Sequence, residues 1–489
     1  MRSLRFVALI CASAQIAFGQ QAPSTPRGST LALEEAIATA QRNNPQYLQV
    51  KNNLRNADAQ IRAAYGALLP SASGSFSTNW QQGGTQYVQG IALPSSSDAY
   101  NGRYYAGVSY SINAGLAYAP RAAKANRSAS EADITNQSEV LRAGVTTQYI
   151  TALQSEAQAA LQDSLVQTAQ GQLELAKAKM QVGAGTVLEV RTAEVAVGQA
   201  QVNSLTAHNT ARIDKLKLFQ QMGVPADIDV QLTTKFAVAE PTFTLDSLLG
   251  LARRVNPDLA AKKSREQASE MGVKLAQTSY LPSLTLSTGY GANSFGYTNS
   301  DILVAQATAQ AAQSAKSCFS TDSIRVGAGL APKGCAPGIL SEDKLAEIRA
   351  SNKPFSFQKA PYSISAFVSI PIFNNFQREQ NVESQRVARD NALNDLRARS
   401  LQLTTDVTQA YLNLVTAAKT VELQTQVAAK ATEELAFAEE SYKVGAKTFL
   451  DVTTARGTYE QAQIARVNSI YEYHKAFAAL ESAVGRPLR

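Results

Sequence analysis

Residues 182–190 read VGAGTVLEV and residues 444–452 read VGAKTFLDV, and this near-repetition constrains the fold of the 489-residue chain more than any other feature. Sliding the sequence on itself by 262 residues pairs Tyr149 with Tyr411, Gly183 with Gly445, Thr186 with Thr448, Glu189 with Asp451, and Gly223 and Pro225 with Gly485 and Pro487. A second register, of 212 residues, pairs Asn44-Pro45 with Asn256-Pro257 and Leu69-Pro70-Ser71 with Leu281-Pro282-Ser283. The 50-residue difference places an insertion in the second half, between Ser283 and about Lys359. One unit of roughly 200 residues is therefore written twice, at 20–240 and 241–489, whereas a solenoid would need several shorter repeats.

Each copy follows one plan. Short helices meet at the Asn-Pro pair, because proline disfavours helical geometry in the residue before it. A strand follows Leu-Pro, at about 71–80 and 283–290, and a second strand closes the pair, at about 104–113 and 362–371. In the second strand Ala106, Val108, Tyr110 and Ile112 alternate with Gly107, Ser109, Ser111 and Asn113, and Ile364, Ala366, Val368 and Ile370 repeat the pattern. Long helical hairpins come next, at 121–222 and 377–485. A helix of about 60 residues is about 90 Å long, more than a compact soluble domain requires. Val407, Tyr411, Leu414, Ala418, Val421, Thr425, Ala428, Thr432 and Leu435 recur at 4-3 spacing, a coiled-coil seam.

The first 19 residues read as a secretion signal: Arg2 and Arg5, an apolar stretch from Phe6 to Ala14, then Ala17-Phe18-Gly19 as a small-x-small cleavage site. Cys11 follows Ile10, which fits lipoprotein processing badly. The mature part then holds Cys318 and Cys335, both inside the inserted loop at about 293–358. An oxidising compartment favours a local disulfide between them, with two free thiols as the alternative. The net charge of +7 is spread without Lys/Arg blocks, which speaks against nucleic acid. No stretch is long and apolar enough for a transmembrane helix.

The strands decide between a soluble coiled coil and a membrane protein. Four alternating strands flanked by Trp80, Tyr87, Tyr100, Tyr104, Tyr290 and Tyr362 suit an outer-membrane barrel with an aromatic girdle. An open four-stranded sheet leaves edge N–H and C=O groups without partners in lipid, so the barrel must be shared between subunits. The duplicated Asn-Pro segments, the LLPS/YLPS strand starts, SIPIF at 369–373 and the twin turns together resemble the TolC-like outer membrane efflux proteins over nearly the whole mature length. The resemblance implies an α+β membrane fold. Each of three subunits would give four strands to a shared 12-stranded barrel, and long antiparallel helices to a periplasmic α-helical tube. In the first half SINAGLAYAP replaces SIPIF, so the strand-to-helix corner there is expected to be built differently.

The turns have a structural reading first. Gly183 and Gly445 sit where a helix must stop, Thr186 and Thr448 are placed to cap the returning helix, and Glu189 and Asp451 fall in its first turn. The resemblance adds that Val182, Gly183, Thr186, Val444, Gly445 and Thr448 form a tip that meets a periplasmic adaptor. It also implies a resting gate in which Asp451 forms an acidic ring, Tyr442 bonds Glu189, and Lys447 bonds a carbonyl near Leu188. A second acidic position of some family members is Thr454 here. No enzyme site is expected: His208 and His474 lack metal-ligand spacing, and Gly183-Ala-Gly185 lacks the Lys-Ser/Thr of a phosphate loop. No cofactor or metal is implied. The implied function is an outer-membrane exit duct of a tripartite efflux or type I secretion system, a homotrimer in outer-membrane lipid coupled through the adaptor to an inner-membrane pump. A soluble periplasmic coiled-coil scaffold is the alternative.

Overall fold

A computed structural model describes residues 30–88, 91–96, 98–227, 229–239, 242–353 and 355–488. The expected secretion signal at 1–19 and the side chain of Tyr87 lie outside that description. The first half runs β1 (Thr30–Leu31), α1 (Leu33–Asn43), α2 (Pro45–Gly66), β2 (Ser71–Gln81), β3 (Gly84–Val88), β4 (Ile91–Ser96), β5 (Ala99–Ile112), α3 (Gly115–Gln181) and α4 (Val187–Met222). The second runs β6 (Gln231–Leu232), α5 (Leu245–Val255), α6 (Pro257–Gln277), β7 (Ser283–Tyr297), α7 (Asp301–Gly327), α8 (Glu342–Ser351), β8 (Gln358–Lys359), β9 (Ser363–Ser369), α9 (Gln377–Lys443) and α10 (Phe449–Val484). The chain divides into two compact units. A helical unit takes the residues up to Ala59, Lys124–Glu270 and those from Val387 onward; a sheet unit takes Gln60–Ala123 and Met271–Arg386.

In the helical unit the duplicated motifs turn out to be two halves of one joint, made twice. Asn44 and Asn256 separate α1 from α2 and α5 from α6 with the same backbone, φ −63° and ψ 120°. Asn44 donates through Nδ2 to Gln221 O (2.9 Å) and accepts at Oδ1 from Tyr47 N (3.0 Å). Asn256 donates to Ala483 O (2.9 Å) and accepts from Leu259 N (3.0 Å). Both amides are buried, so each satisfies its hydrogen-bonding capacity on a helix start and a helix end at once. Those helix ends are closed by Gly223 (φ 72°) and Gly485 (φ 90°) in left-handed conformation. A Cβ on Gly223 would lie 2.5 Å from Asn43 O, and one on Gly485 would lie 2.5 Å from Pro257 Cδ. Only glycine permits both the backbone sign and the close approach.

Apolar packing follows the same duplication. One cluster gathers Ala36, Ala40, Val145, Tyr149, Leu218 and Met222; the other gathers Leu248, Ala252, Val407, Leu414, Leu480 and Val484. Tyr149 Oη donates to Leu31 O (2.7 Å) in the first; in the second a tyrosine outside the repeat register, Tyr473, donates through Oη to Ala239 O (2.6 Å). Helices α3 and α9 have 67 residues each, so each is about 100 Å long. Along α9 every seventh residue from Val407 to Tyr442 (Leu414, Val421, Ala428 and Leu435 between them) is buried. The alternate row of the expected seam differs: Tyr411 and Ala418 are half-buried and Thr425 and Thr432 are exposed. The first row is covered along its whole length by the chain's own residues, whereas the second is covered in part at Tyr411 and Ala418 and exposed at Thr425 and Thr432.

The sheet unit is antiparallel, in the order β2-β5-β7, with β8 and β9 both on the far edge of β7. Ser71 lies opposite Ser109, Ile112 opposite Leu284, and Leu284 opposite Val368. Lys359 opposes Ala292 while Ser363 opposes Gly289, so one extra residue bulges the fourth strand around Pro361. β5 and β7 are longer than the expected 104–113 and 283–290, because they pair with each other without a break from Ala99 opposite Tyr297 to Tyr105 opposite Gly291. Phe76, Trp80, Tyr104, Val108, Leu284, Tyr290 and Ile364 share one face by register; Tyr104 packs on Tyr290 and Phe357. The other face is serine-rich, with Ser71 on Ser109 (2.9 Å) and Ser287 on Ser365 (2.7 Å). The outer edges of β2 and β9 have no strand partner among the described residues.

The insertion is not the plain loop expected at 293–358. It carries the 27-residue α7 and the shorter α8, since its alanines and glutamines favour helix. Cys318 and Cys335 are joined by a disulfide, and the Asp322 carboxylate accepts the N–H groups of Lys333 (2.9 Å) and Gly334 (3.0 Å). The first-half loop holds the β3–β4 hairpin. The two strand-to-helix corners differ as well. α3 starts at Gly115, just after β5, whereas 370–376 intervene before α9 and pass through Asn375 (φ 56°) and Phe376 (φ 61°).

Candidate functional site

The two turns are nearly superposable in their bonding. Gly183 (φ 79°) and Gly445 (φ 80°) end α3 and α9, with Gly183 N donating to Met180 O and Gly445 N to Tyr442 O, each at 3.1 Å. Ala184 N donates to Lys179 O and Ala446 N to Ser441 O, each at 2.8 Å. Thr186 and Thr448 then cap α4 and α10, and each opens a complete capping box with Glu189 or Asp451. The reciprocal bonds are Thr186 N to Glu189 Oε2 (3.1 Å) and Glu189 N to Thr186 Oγ1 (3.2 Å) in the first turn. Thr448 N donates to Asp451 Oδ2 (2.9 Å) and Asp451 N to Thr448 Oγ1 (3.3 Å) in the second.

Beyond the caps, the turns present apolar side chains to solvent. Val182 and Val444 are each 79% exposed, and Leu188 and Leu450 are 74% and 73% exposed.

Behind the turns the structure brings Tyr442 and Glu189 together: the Tyr442 hydroxyl donates to Glu189 Oε2 at 3.1 Å. Tyr442 is buried against Leu435, Ala438, Val452 and Ala455, with Phe449 beside its ring. Burial first, and the Glu189 carboxylate second, push its phenol up to about 12, so it stays a donor. Asp451 is held below the usual carboxylate range by the N–H and hydroxyl of Thr448, with help from Lys447. Among the described residues no hydrogen bond joins Lys447 to the backbone near Leu188; its backbone N–H donates to Ser441 O (3.3 Å) and its charge acts on Asp451. The cation that reaches across is Lys179, which the sequence reading missed. Its ammonium donates to the Tyr442 carbonyl and sits 3.9 Å from the centre of the Tyr442 ring.

The remaining candidates are placed apart from the turns. His208 bonds Asp163 on an exposed helix face (3.0 Å), and His474 is buried between Phe236 and Tyr473. Cys318, Asp322 and Cys335 bring three donor atoms together, but the sulfurs are bonded to each other and both Asp322 oxygens accept backbone N–H groups.

The sequence profile described as outer membrane efflux protein matches residues 36–224 and 343–486. Two curated relatives from Pseudomonas putida are each 26% identical over 295 residues, 57% of this chain: the probable efflux pump outer membrane protein SepC and the toluene efflux pump outer membrane protein TtgF. The match spans 60% of the length of each. Among solved structures, the outer membrane protein VceC of Vibrio cholerae is 17% identical, with 94% of this chain and 97% of that one covered at a TM-score of 0.67. The α+β fold is thus that of an outer-membrane channel protein. With the profile matched over two stretches that together exceed half of its length, the chain belongs to the outer membrane efflux protein family.

Proposed function

We propose that this protein is the outer-membrane exit duct of a tripartite efflux or type I secretion system. The observation that carries the reading is the sheet: one face largely apolar and aromatic, the other rich in serine with Tyr105, Phe295, Tyr297 and Phe367 among it, and both edges open among the described residues. Such a sheet suits lipid on one side and water on the other, but only when its edges are paired in a closed barrel. Three copies would close twelve strands. The exposed part of the second α9 row, at Thr425 and Thr432, is further surface for neighbouring copies. The exposed Val182, Leu188, Val444 and Leu450 support the docking of a periplasmic adaptor at the tip, through which an inner-membrane pump would supply the driving force. Gly183, Thr186, Gly445 and Thr448 shape that surface. At rest the Tyr442–Glu189 bond and a ring of Asp451 carboxylates would narrow the passage, and Lys447 would tune Asp451.

The test is cell fractionation followed by planar-bilayer recording of the purified protein. An outer-membrane oligomer of three chains that forms pores is the expected result. A monomer recovered in the soluble periplasmic fraction would sink the duct and favour a coiled-coil scaffold. Val182→Asp with Val444→Asp should abolish pump-dependent export while leaving pores intact.

A further inference from the structure

The duplication supplies a way to separate residues that build the turns from residues that act there. Under the 262-residue shift most backbone bonds of the two turns coincide, yet the side chains differ at six positions between 179 and 190, and three of these carry the argument: Lys179 pairs with Ser441, Met180 with Tyr442, and Gly185 with Lys447. These three positions meet in space. Lys179 contacts Tyr442 twice, through its carbonyl and over its ring face. Gly185 lies against Lys179 and Glu189, the two residues that bond Tyr442: a Cβ there would come to 3.0 Å from Met180 N, 3.1 Å from Lys179 Cβ and 3.2 Å from Glu189 Oε2. A glycine leaves that space to the two longer side chains, and in the other turn, where no such contact exists, the same position carries a lysine.

We propose that Lys179 is the positioning residue of the tip latch, holding the Tyr442 ring so that its hydroxyl reaches Glu189; the inference rests on the gate described above. A phenol ring has two freedoms that matter here, the path of its backbone and the rotation of its plane. The ammonium fixes the first by donating to the Tyr442 carbonyl, and it fixes the second by lying over the ring, where the π-electrons attract a cation. Among the described residues Lys179 has no carboxylate partner, so its charge is committed to Tyr442 rather than to a surface ion pair. The order across the hairpins is then cation, ring, hydroxyl, carboxylate. Lys179 and Glu189 both come from the first turn, and together they close on the one tyrosine of the second.

The experiment is resting conductance in planar bilayers for Lys179→Met, Lys179→Arg, Tyr442→Phe and the Lys179→Met/Tyr442→Phe pair, with heat resistance of the assembled oligomer as the control for folding. Lys179→Met should raise resting conductance several-fold, close to Tyr442→Phe, and the pair should conduct no more than Tyr442→Phe alone, since the two changes break one unit. Lys179→Arg should restore most of the wild-type value, because a guanidinium also stacks on a ring and donates to a carbonyl. If Lys179→Met fails to assemble, Lys179→Gln takes its place. Wild-type conductance in Lys179→Met or Lys179→Gln beside a raised Tyr442→Phe would overturn the proposal while sparing the gate. Additive increases in the pair would overturn it too. An unchanged Tyr442→Phe would remove the gate itself, and this inference with it.

Discussion

The Asn-Pro/Gly joints allow a stability prediction that does not depend on any functional reading. Four glycines end long helices in left-handed conformation, and they differ in surroundings. Gly223 and Gly485 press on the backbone of Asn43 and on the ring of Pro257, whereas Gly183 and Gly445 have no atom within 4 Å of an added Cβ. Alanine at any of the four costs about 1–2 kcal/mol for the left-handed backbone. At Gly223 and Gly485 the methyl would also meet atoms that cannot swing away, which adds about 1–3 kcal/mol of overpacking. Gly223→Ala and Gly485→Ala should therefore cost about 2–5 kcal/mol in total, against about 1–2 kcal/mol for Gly183→Ala and Gly445→Ala. Amide hydrogen exchange reads this locally, as the protection of the last turns of α4 and α10 against that of the last turns of α3 and α9. Equal losses of protection at all four sites would show that the Asn-Pro segments do not hold the helix ends, and the reasoning would fail.

Three further outcomes follow from single contacts. Asn256→Ala removes a buried amide that bonds Ala483 O and Leu259 N, and should cost about 1–3 kcal/mol in detergent unfolding, with Asn44→Ala matching it in the first half; no change would refute the joint. The Tyr442 phenol is raised from 10.0 to about 12, so its contribution is fully present below the unfolded value and lost as pH rises through the folded one; resting conductance should stay flat through neutral pH and climb between about 10 and 12, with Tyr442→Phe showing no such climb. The disulfide closes a loop with a sequence separation of 17, worth about 3 kcal/mol, so Cys318→Ser with Cys335→Ser should expose 328–340 to protease while leaving export unchanged.

What the sequence made legible is what repeats. Period-two alternation placed the four main strands, and the repeated Gly, Thr and acidic residues placed the turns, because each motif acts within a few residues of itself. Strand ends and the interior of the insertion were less legible. β5 and β7 run on through polar residues such as Asn101, Arg103 and Asn293 that carry no alternating pattern and are held by pairing with each other, and α7 is written in alanine and glutamine, which read as loop only when helix is not sought. Lys179 was hidden for a different reason. Its partner Tyr442 is 263 residues away, and no local pattern marks a lysine that chooses a carbonyl and a ring over a carboxylate. The mismatch with Ser441, one of six between the two turns, was the available signal.

Glu189 and Asp451 show how a duplicated scaffold acquires asymmetric chemistry at little structural cost. Both occupy the third position of a capping box, and both take the N–H of the threonine that caps their helix. Asp451 is one methylene shorter, and its capping oxygen is turned back on Thr448, accepting the hydroxyl (2.8 Å) as well as the N–H. Glu189 caps with Oε2 and offers the same oxygen to Tyr442 on the neighbouring helix. The longer side chain thus joins the start of α4 to the end of α9, while its twin stays within its own helix. A helix start can be capped by either acid, so selection on the cap alone would not tell them apart; the reach across to Tyr442 is available to glutamate because it does not have to surrender the cap to make it.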